Sequence, residues 1–265
     1  MPWEDTAQVA ECIHGLEIPL CDICYPKAAP EKPRAARATA APRTARSVPV
    51  RTSRKSINAG DQRIYHVTHI RNLEAIVSSG ALSADAAPVV EVSSELTKEL
   101  RMSAEVSPSA SAGLDGAGRH ASVAEYVPFY LAPDAALWED LRAGALDETR
   151  WSDAARKATP ADFVFLVSTV AALGDDAVIA DGDAAATFTR FSTGEGIQRA
   201  IERLHDNEDA RRGAEALVMH SFPFESVQLI GVANDRVRDR VRELVAGVVP
   251  APKVAVYPPW FQPAA

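Results

Sequence analysis

Apolar positions recur with strand and helix periods from Ile64 almost to Trp260, whereas residues 27–60 show no such pattern. Ile64-Tyr65-His66-Val67-Thr68-His69 is rich in β-branched and aromatic side chains and predicts a strand. Leu73, Ile76 and Val77 then fall at helical spacing, with Gly80 placed to stop the helix. A second helix is predicted over Glu95 to Met102. Val123 to Leu131 reads as a strand region in which Pro128 argues for an edge or a bend, because proline donates nothing to a ladder. Phe163 to Ser168 predicts a buried strand and Ile197 to Leu204 a helix. Ala216 to His220 and Val227 to Val232 read as strands around a Phe222-Pro223 turn, followed by a helix over Val237 to Val245 and a last strand over Val254 to Tyr257. Strands and helices mix without regular βαβ alternation and without a Gly-rich phosphate turn. An α+β fold is expected rather than a doubly wound dinucleotide fold.

The 265 residues are 47% hydrophobic and 24% charged, enough apolar material for a real core. The longest apolar run, Phe163 to Val170 extending to Leu173, is short of the roughly 20 residues a bilayer requires. The opening Met1-Pro2-Trp3-Glu4-Asp5 lacks the basic-then-apolar pattern of a signal peptide. A cytoplasmic protein without a membrane partner is the expectation.

The net charge of −8 hides a division, since residues 27–56 carry +8 and the remainder −16. That tract, rich in Ala, Pro, Arg and Ser, is expected to be a disordered linker over residues 27–60. Its charge fits either a polyanion partner or a solubilising spacer.

All three cysteines lie in the first 24 residues, in the pattern Cys12-x-His14-x6-Cys21-x2-Cys24. An odd number of cysteines cannot close a disulfide framework, and four N/S ligands in two close pairs suit one tetrahedral zinc. A structural Cys3His zinc knuckle over residues 1–26 is therefore expected, its folding driven by the metal. The plainer alternative is a tail with incidental cysteines.

Within the patterned region the single features are ambiguous. His66 and Thr68, at i and i+2, share a face of their strand and suit either a small-molecule contact or a capped core histidine. Arg101, among Leu96, Leu100 and Met102, points either inward or to solvent. Glu215, at the mouth of Ala216-Leu217-Val218, is either a solvated strand end or a site residue.

Three blocks in order are more specific: IYHVTHIRNLEAIVSSGAL (64–82), EYVPFYLAP (125–133) and AEALVMHSFPFESVQLIGV (214–232). Together they resemble the DarT-type DNA ADP-ribosyltransferases, toxins of bacterial toxin–antitoxin pairs. The resemblance spans about residues 61–261, including the closing Pro259-Trp260-Phe261, and leaves the N-terminal 60 residues outside. It implies an ADP-ribosyltransferase-like split β-sheet with flanking helices over residues 61–265, NAD as co-substrate and single-stranded DNA as acceptor. Thymine is the commoner acceptor base, guanine belongs to a related branch, and a macrodomain-type antitoxin is the implied partner.

Cleavage of the nicotinamide–ribose bond passes through an oxocarbenium-like state, which needs a nearby anion and a strengthening hydrogen bond to the ribose. Glu215 matches the family's catalytic glutamate. Arg101 matches its active-site arginine, holding the NAD phosphates or stabilising the deprotonated base. His66, Thr68 and Asn72 match the NAD-contacting segment, and Tyr126 and Tyr130 either stack on nicotinamide or pack in the core. Arg119 and His120, in a Ser/Ala/Gly-rich stretch, are left without a role. Arg211 and Arg212, in the loop before Glu215, are placed to meet a DNA phosphate. The competing functions are transfer to RNA or protein, and a non-catalytic nucleic-acid binder built from the zinc and basic segments.

Overall fold

The computed structural model describes residues 57–107, 121–144 and 147–263. The expected zinc ligands Cys12, His14, Cys21 and Cys24, and Arg119 and His120, lie outside them. Strand β1 (Arg63–His69) leads into helix α1 (Leu73–Ser79), β2 (Ala81–Ser83), α2 (Glu95–Ser103) and the short β3 (Glu105–Val106). Next come β4 (Ala121–Ser122), β5 (Tyr126–Tyr130), α3 (Ala136–Arg142), α4 (Asp153–Lys157) and β6 (Phe163–Thr169). The chain continues through β7 (Val178–Ala180), β8 (Phe191–Thr193), α5 (Gly196–His205), α6 (Glu208–Gly213) and β9 (Glu215–Met219). It closes with β10 (Ser221–Pro223), β11 (Leu229–Val232), α7 (Asp235–Val245) and β12 (Lys253–Val256). Among the described residues no helix is long and apolar enough to cross a membrane.

Eight strands form one mixed sheet in the order β12-β11-β6-β1-β5-β9-β7-β8. Neighbours are antiparallel except β11 and β12, which run parallel because α7 supplies the crossover. A single row of paired residues crosses all eight strands: Lys253, Leu229, Val167, Tyr65, Tyr130, Glu215, Ala180 and Phe191. Directly opposed residues share a face, so this row brings Tyr65, Tyr130 and Glu215 side by side. β1 and β6 pair along seven residues, whereas β1 and β5 pair only at Tyr65 and Tyr130. The sheet is parted along that seam.

Pro128 accounts for the parting. It sits in a central strand, not at the edge the sequence suggests, but its missing N–H leaves β5 with no donor at that point. The Pro128 carbonyl is met not by the β1 backbone but by His66 Nδ1, at 2.9 Å. The other half of the expectation, a bend, corresponds to the divergence of β5 from β1.

Three apolar clusters hold the sheet. Ile64, Leu166, Phe129, Phe222 and Ile230 pack beneath α1, α5 and α7. Tyr65, Phe163, Phe165 and Trp138 form a second cluster on the opposite face, closed by Phe261 and Trp260. The C-terminal Pro259-Trp260-Phe261 is anchored there, because Trp138 Nε1 donates to the Trp260 carbonyl at 2.6 Å and Arg142 Nη1 to the Pro259 carbonyl at 3.0 Å. The third cluster contains Val106, Val123, Tyr126, Val178 and Leu217.

Local signals explain the helix ends. Gly80 closes α1 with φ of 74°, a left-handed conformation that glycine tolerates. Ser94 caps α2 by accepting the Thr97 N–H, and Asn234 caps α7 by accepting that of Val237. α5 buries Ala200, Ile201 and Leu204, one face of an amphipathic helix.

Two expectations are corrected. The tract expected to be disordered to residue 60 ends sooner: Ala59 is buried and donates its N–H to Gln198 Oε1 at 3.0 Å, and Asn58 caps the turn Ala59–Asp61. Gln198 supplies the tie that the tract's own composition lacks. The Phe222-Pro223 turn is instead part of β10, which pairs with β2, and the chain bends before it at His220, where φ is 62°.

Candidate active site

Glu215 opens β9 and is 2% exposed, so a carboxylate stands inside the sheet. Burial of a charge is costly unless it is paired. Arg101 Nη1 lies 3.1 Å from Glu215 Oε2, and the Ala184 N–H donates to Oε1 at 3.2 Å. The arginine comes from the last turn of α2, a helix moored at both ends. Ser94 Oγ donates to the Thr149 carbonyl, and Ser122 Oγ donates to the Arg101 carbonyl at 3.0 Å. Burial works against the guanidinium's charge, but Glu215 more than compensates and raises its pKa. Arg101 Nη2 is buried without a hydrogen-bond partner among the described residues, a donor left for a ligand.

Tyr130 is the neighbour of Glu215 across the β5–β9 ladder. Burial, and then the Glu215 carboxylate, push its hydroxyl pKa up, so the phenol stays protonated. Tyr126 shares its strand and packs into the third cluster at 5% exposure, in line with the core-packing alternative.

Across the seam, His66 faces the Pro128 carbonyl and its ring lies 5.6 Å from that of Phe129. Burial lowers its pKa. A carbonyl only accepts, so Nδ1 carries the proton and Nε2 of the neutral ring is an acceptor. Thr68, two residues on, accepts from Asn72 Nδ2 at 3.1 Å. Asn72 also donates to the Val90 carbonyl at 2.9 Å and accepts the Val90 N–H at 2.7 Å. Both amide groups of Asn72 are thus engaged internally. These bonds make it a latch that fixes Thr68 and the segment around Val90.

Arg211 and Arg212 part company. Arg212 Nε donates to the Asp134 carbonyl at 3.0 Å and lies 3.5 Å from its carboxylate, a structural attachment. Arg211 instead lines a cavity of about 420 Å³ with Gln62, Arg63, Tyr65, Leu131, Pro133 and His205. Sequence reasoning passed over that cavity, as it did the Ala184 N–H, a backbone group with no sequence signature. Among the described residues no group of three His, Cys, Asp or Glu is placed to hold a metal ion.

A sheet parted at one seam, with a neutral histidine on one side and a buried glutamate–arginine pair on the other, fits what the resemblance to the ADP-ribosyltransferases implies. The family described as "ssDNA thymidine ADP-ribosyltransferase, DarT" matches residues 65–262. A Mycobacterium tuberculosis protein named "DNA ADP-ribosyl transferase" is 32% identical over 219 residues, 75% of this chain and 88% of that protein. Thermus sp. 2.9 DarT, solved with ADP-ribosylated single-stranded DNA, superposes with a TM-score of 0.61 at 22% identity, covering 76% of this chain and 96% of the other. Its complex with NAD+ gives a TM-score of 0.56 at 22% identity over 76% and 98% of the two chains. At that identity the likeness is one of fold. The chain belongs to the DarT family of DNA ADP-ribosyltransferases.

Proposed function

We propose that this chain transfers ADP-ribose from NAD to a base of single-stranded DNA, with thymine as the preferred acceptor and guanine as the second. The pairing of Glu215 with Arg101 at the parted seam carries this reading. In the reaction the bond from ribose C1′ to nicotinamide breaks, its electron pair leaving with the neutral nicotinamide. A bond from C1′ to a base nitrogen forms, and that nitrogen gives up its proton. Positive charge on the sugar peaks between the two events, and the Glu215 carboxylate is the anion that stabilises it.

The remaining residues prepare that moment. His66 Nε2 accepts from a ribose hydroxyl, and the Thr68 hydroxyl, held by Asn72, lies on the same face of β1. Tyr130 donates beside the carboxylate, and the free Nη2 of Arg101 serves the NAD phosphates or the deprotonated base. The Ala184 N–H keeps Glu215 oriented before substrate arrives.

The same proposal includes a cytoplasmic toxin whose mark is removed by a macrodomain-type antitoxin. It also includes a zinc knuckle on Cys12, His14, Cys21 and Cys24 and a DNA-tethering role for the basic tract between it and the catalytic unit. Mass spectrometry of thymine-, guanine- and adenine-containing oligonucleotides incubated with the protein and NAD tests the acceptor. One ADP-ribose gained on thymine DNA supports the reading. Labelling confined to RNA or to protein overturns it.

A further inference from the structure

The cavity beside Tyr65 lies at the end of the sheet where β1 begins, β5 ends and β9 begins, so it adjoins the row that carries Tyr130 and Glu215. Its lining sets two guanidiniums, Arg63 and Arg211, against one carboxylate, Asp61. Among the described residues neither Arg63 nor Arg211 has a carboxylate partner, and Arg211 Nε is buried without a hydrogen bond. Burial holds the Tyr65 hydroxyl pKa up and keeps the phenol neutral, while the charges of Arg63 and Arg211 beside it pull the other way. Asp61, which accepts from Asn58 Nδ2 at 3.0 Å, also lines the cavity and leaves the lining net positive by one charge, while Asp134 is paired with Arg212. Gln62 donates to the Leu131 carbonyl and lies 3.0 Å from His205 Nε2, closing the floor. Two convergent cations and a phenol, with an unmet N–H among them, suit a phosphate oxygen.

We infer that this cavity seats a backbone phosphate of the acceptor DNA strand, held by Arg63 and Arg211 with Tyr65 as a neutral donor. The inference rests on the proposed DNA-modifying activity and adds the place where the strand is gripped. NAD pyrophosphate shares the same chemistry, but His66 and Thr68, the residues proposed to face NAD, lie in the opposite direction along β1 from Arg63. Asn58 to Arg63 also precede the segment that matches the family, which begins at residue 65. Five of the eleven residues of this wall therefore lie outside the family segment. Arg51, Arg54 and Lys55 stand just before Ile57, another residue of the wall, so the basic tract leads in sequence directly to it.

The test uses the full chain with Arg63 and Arg211 changed to Glu together, and each changed singly to Gln. Anisotropy of a labelled thymine oligonucleotide is followed over a salt series, and NAD binding is measured by calorimetry, with thermal melts to show that each variant folds. The double reversal is expected to weaken DNA binding at least about tenfold and to lower the log–log salt slope by about 0.7 for the lost phosphate contact. NAD affinity is expected to stay within about twofold of wild type. DNA affinity and slope equal to wild type overturn the inference, and so does a loss confined to NAD. If the double variant does not fold, the single glutamines decide by the same readings. Failure of the proposed activity is distinct: wild type then binds DNA and NAD yet forms no adduct.

Discussion

Tyr130 stands between Tyr65 and Glu215 in one row of the sheet, the last pair before β1 and β5 separate. Arg101 enters this row from α2 and meets Glu215 at 3.1 Å across 114 residues of sequence. The pair is unequal, with 2% of the glutamate side chain exposed against 17% of the arginine's.

That inequality predicts an order of stabilities. Removing the arginine strands a buried carboxylate, whereas removing the carboxylate's charge leaves a guanidinium that reaches water. Arg101→Gln is expected to cost about 2–4 kcal/mol, and Glu215→Gln less. Urea unfolding of the two variants measures this, and equal losses contradict the account.

His66 supplies a pH signature. Burial lowers its pKa from the ordinary 6.5, so between 6.5 and its folded value the unfolded chain binds a proton that the folded chain refuses. Its contribution to stability is complete above pH 6.5 and is lost as pH falls below it. His69, also lowered chiefly by burial, acts with the same sign. Ring 15N NMR is expected to show the Nδ1–H tautomer of His66 with a midpoint below 6.5. A midpoint at or above 6.5 contradicts this.

Asn72 is predicted to act through the fold. Asn72→Leu leaves the Val90 N–H and carbonyl without partners in the interior, a loss of about 1–3 kcal/mol in chemical denaturation. NAD affinity should fall less than in Thr68→Val. The reverse order restores Asn72 as a direct ligand contact.

Gly231 in β11 tests the C-terminal anchor. A β-carbon there would lie 2.5 Å from Trp260 Cζ3, and the indole is fixed between Tyr65 and Tyr257. Gly231→Ala is expected to destabilise by about 1–3 kcal/mol. An unchanged melting temperature shows that Trp260 moves freely.

Elements whose side chains repeat a local period were legible in the sequence. β1, β6, α1 with its Gly80 stop and α7 carry β-branched runs, amphipathic spacing or caps that specify structure over a few residues. Glu215 and Arg101 were legible only as members of a family pattern, because nothing local tells a buried carboxylate from a strand end. Their pairing is a tertiary fact. Pro128 misled as an edge marker, since a parted central strand satisfies proline as well as an edge does. Asn72 matched the NAD-contacting segment, yet its partner at Val90 lies 18 residues away. The short β7 and β8 have too few residues for a pattern, and the Arg63–Arg211 cavity joins residues that sequence spacing keeps far apart.

The central claim is that the Glu215 carboxylate stabilises the sugar as nicotinamide departs. Nicotinamide release from NAD in the presence of a thymine oligonucleotide, compared between wild type and Glu215→Gln, tests it directly. The amide keeps the shape and removes the charge. The account predicts release reduced at least about a thousandfold, with NAD and DNA still bound. Release by Glu215→Gln within tenfold of wild type contradicts it.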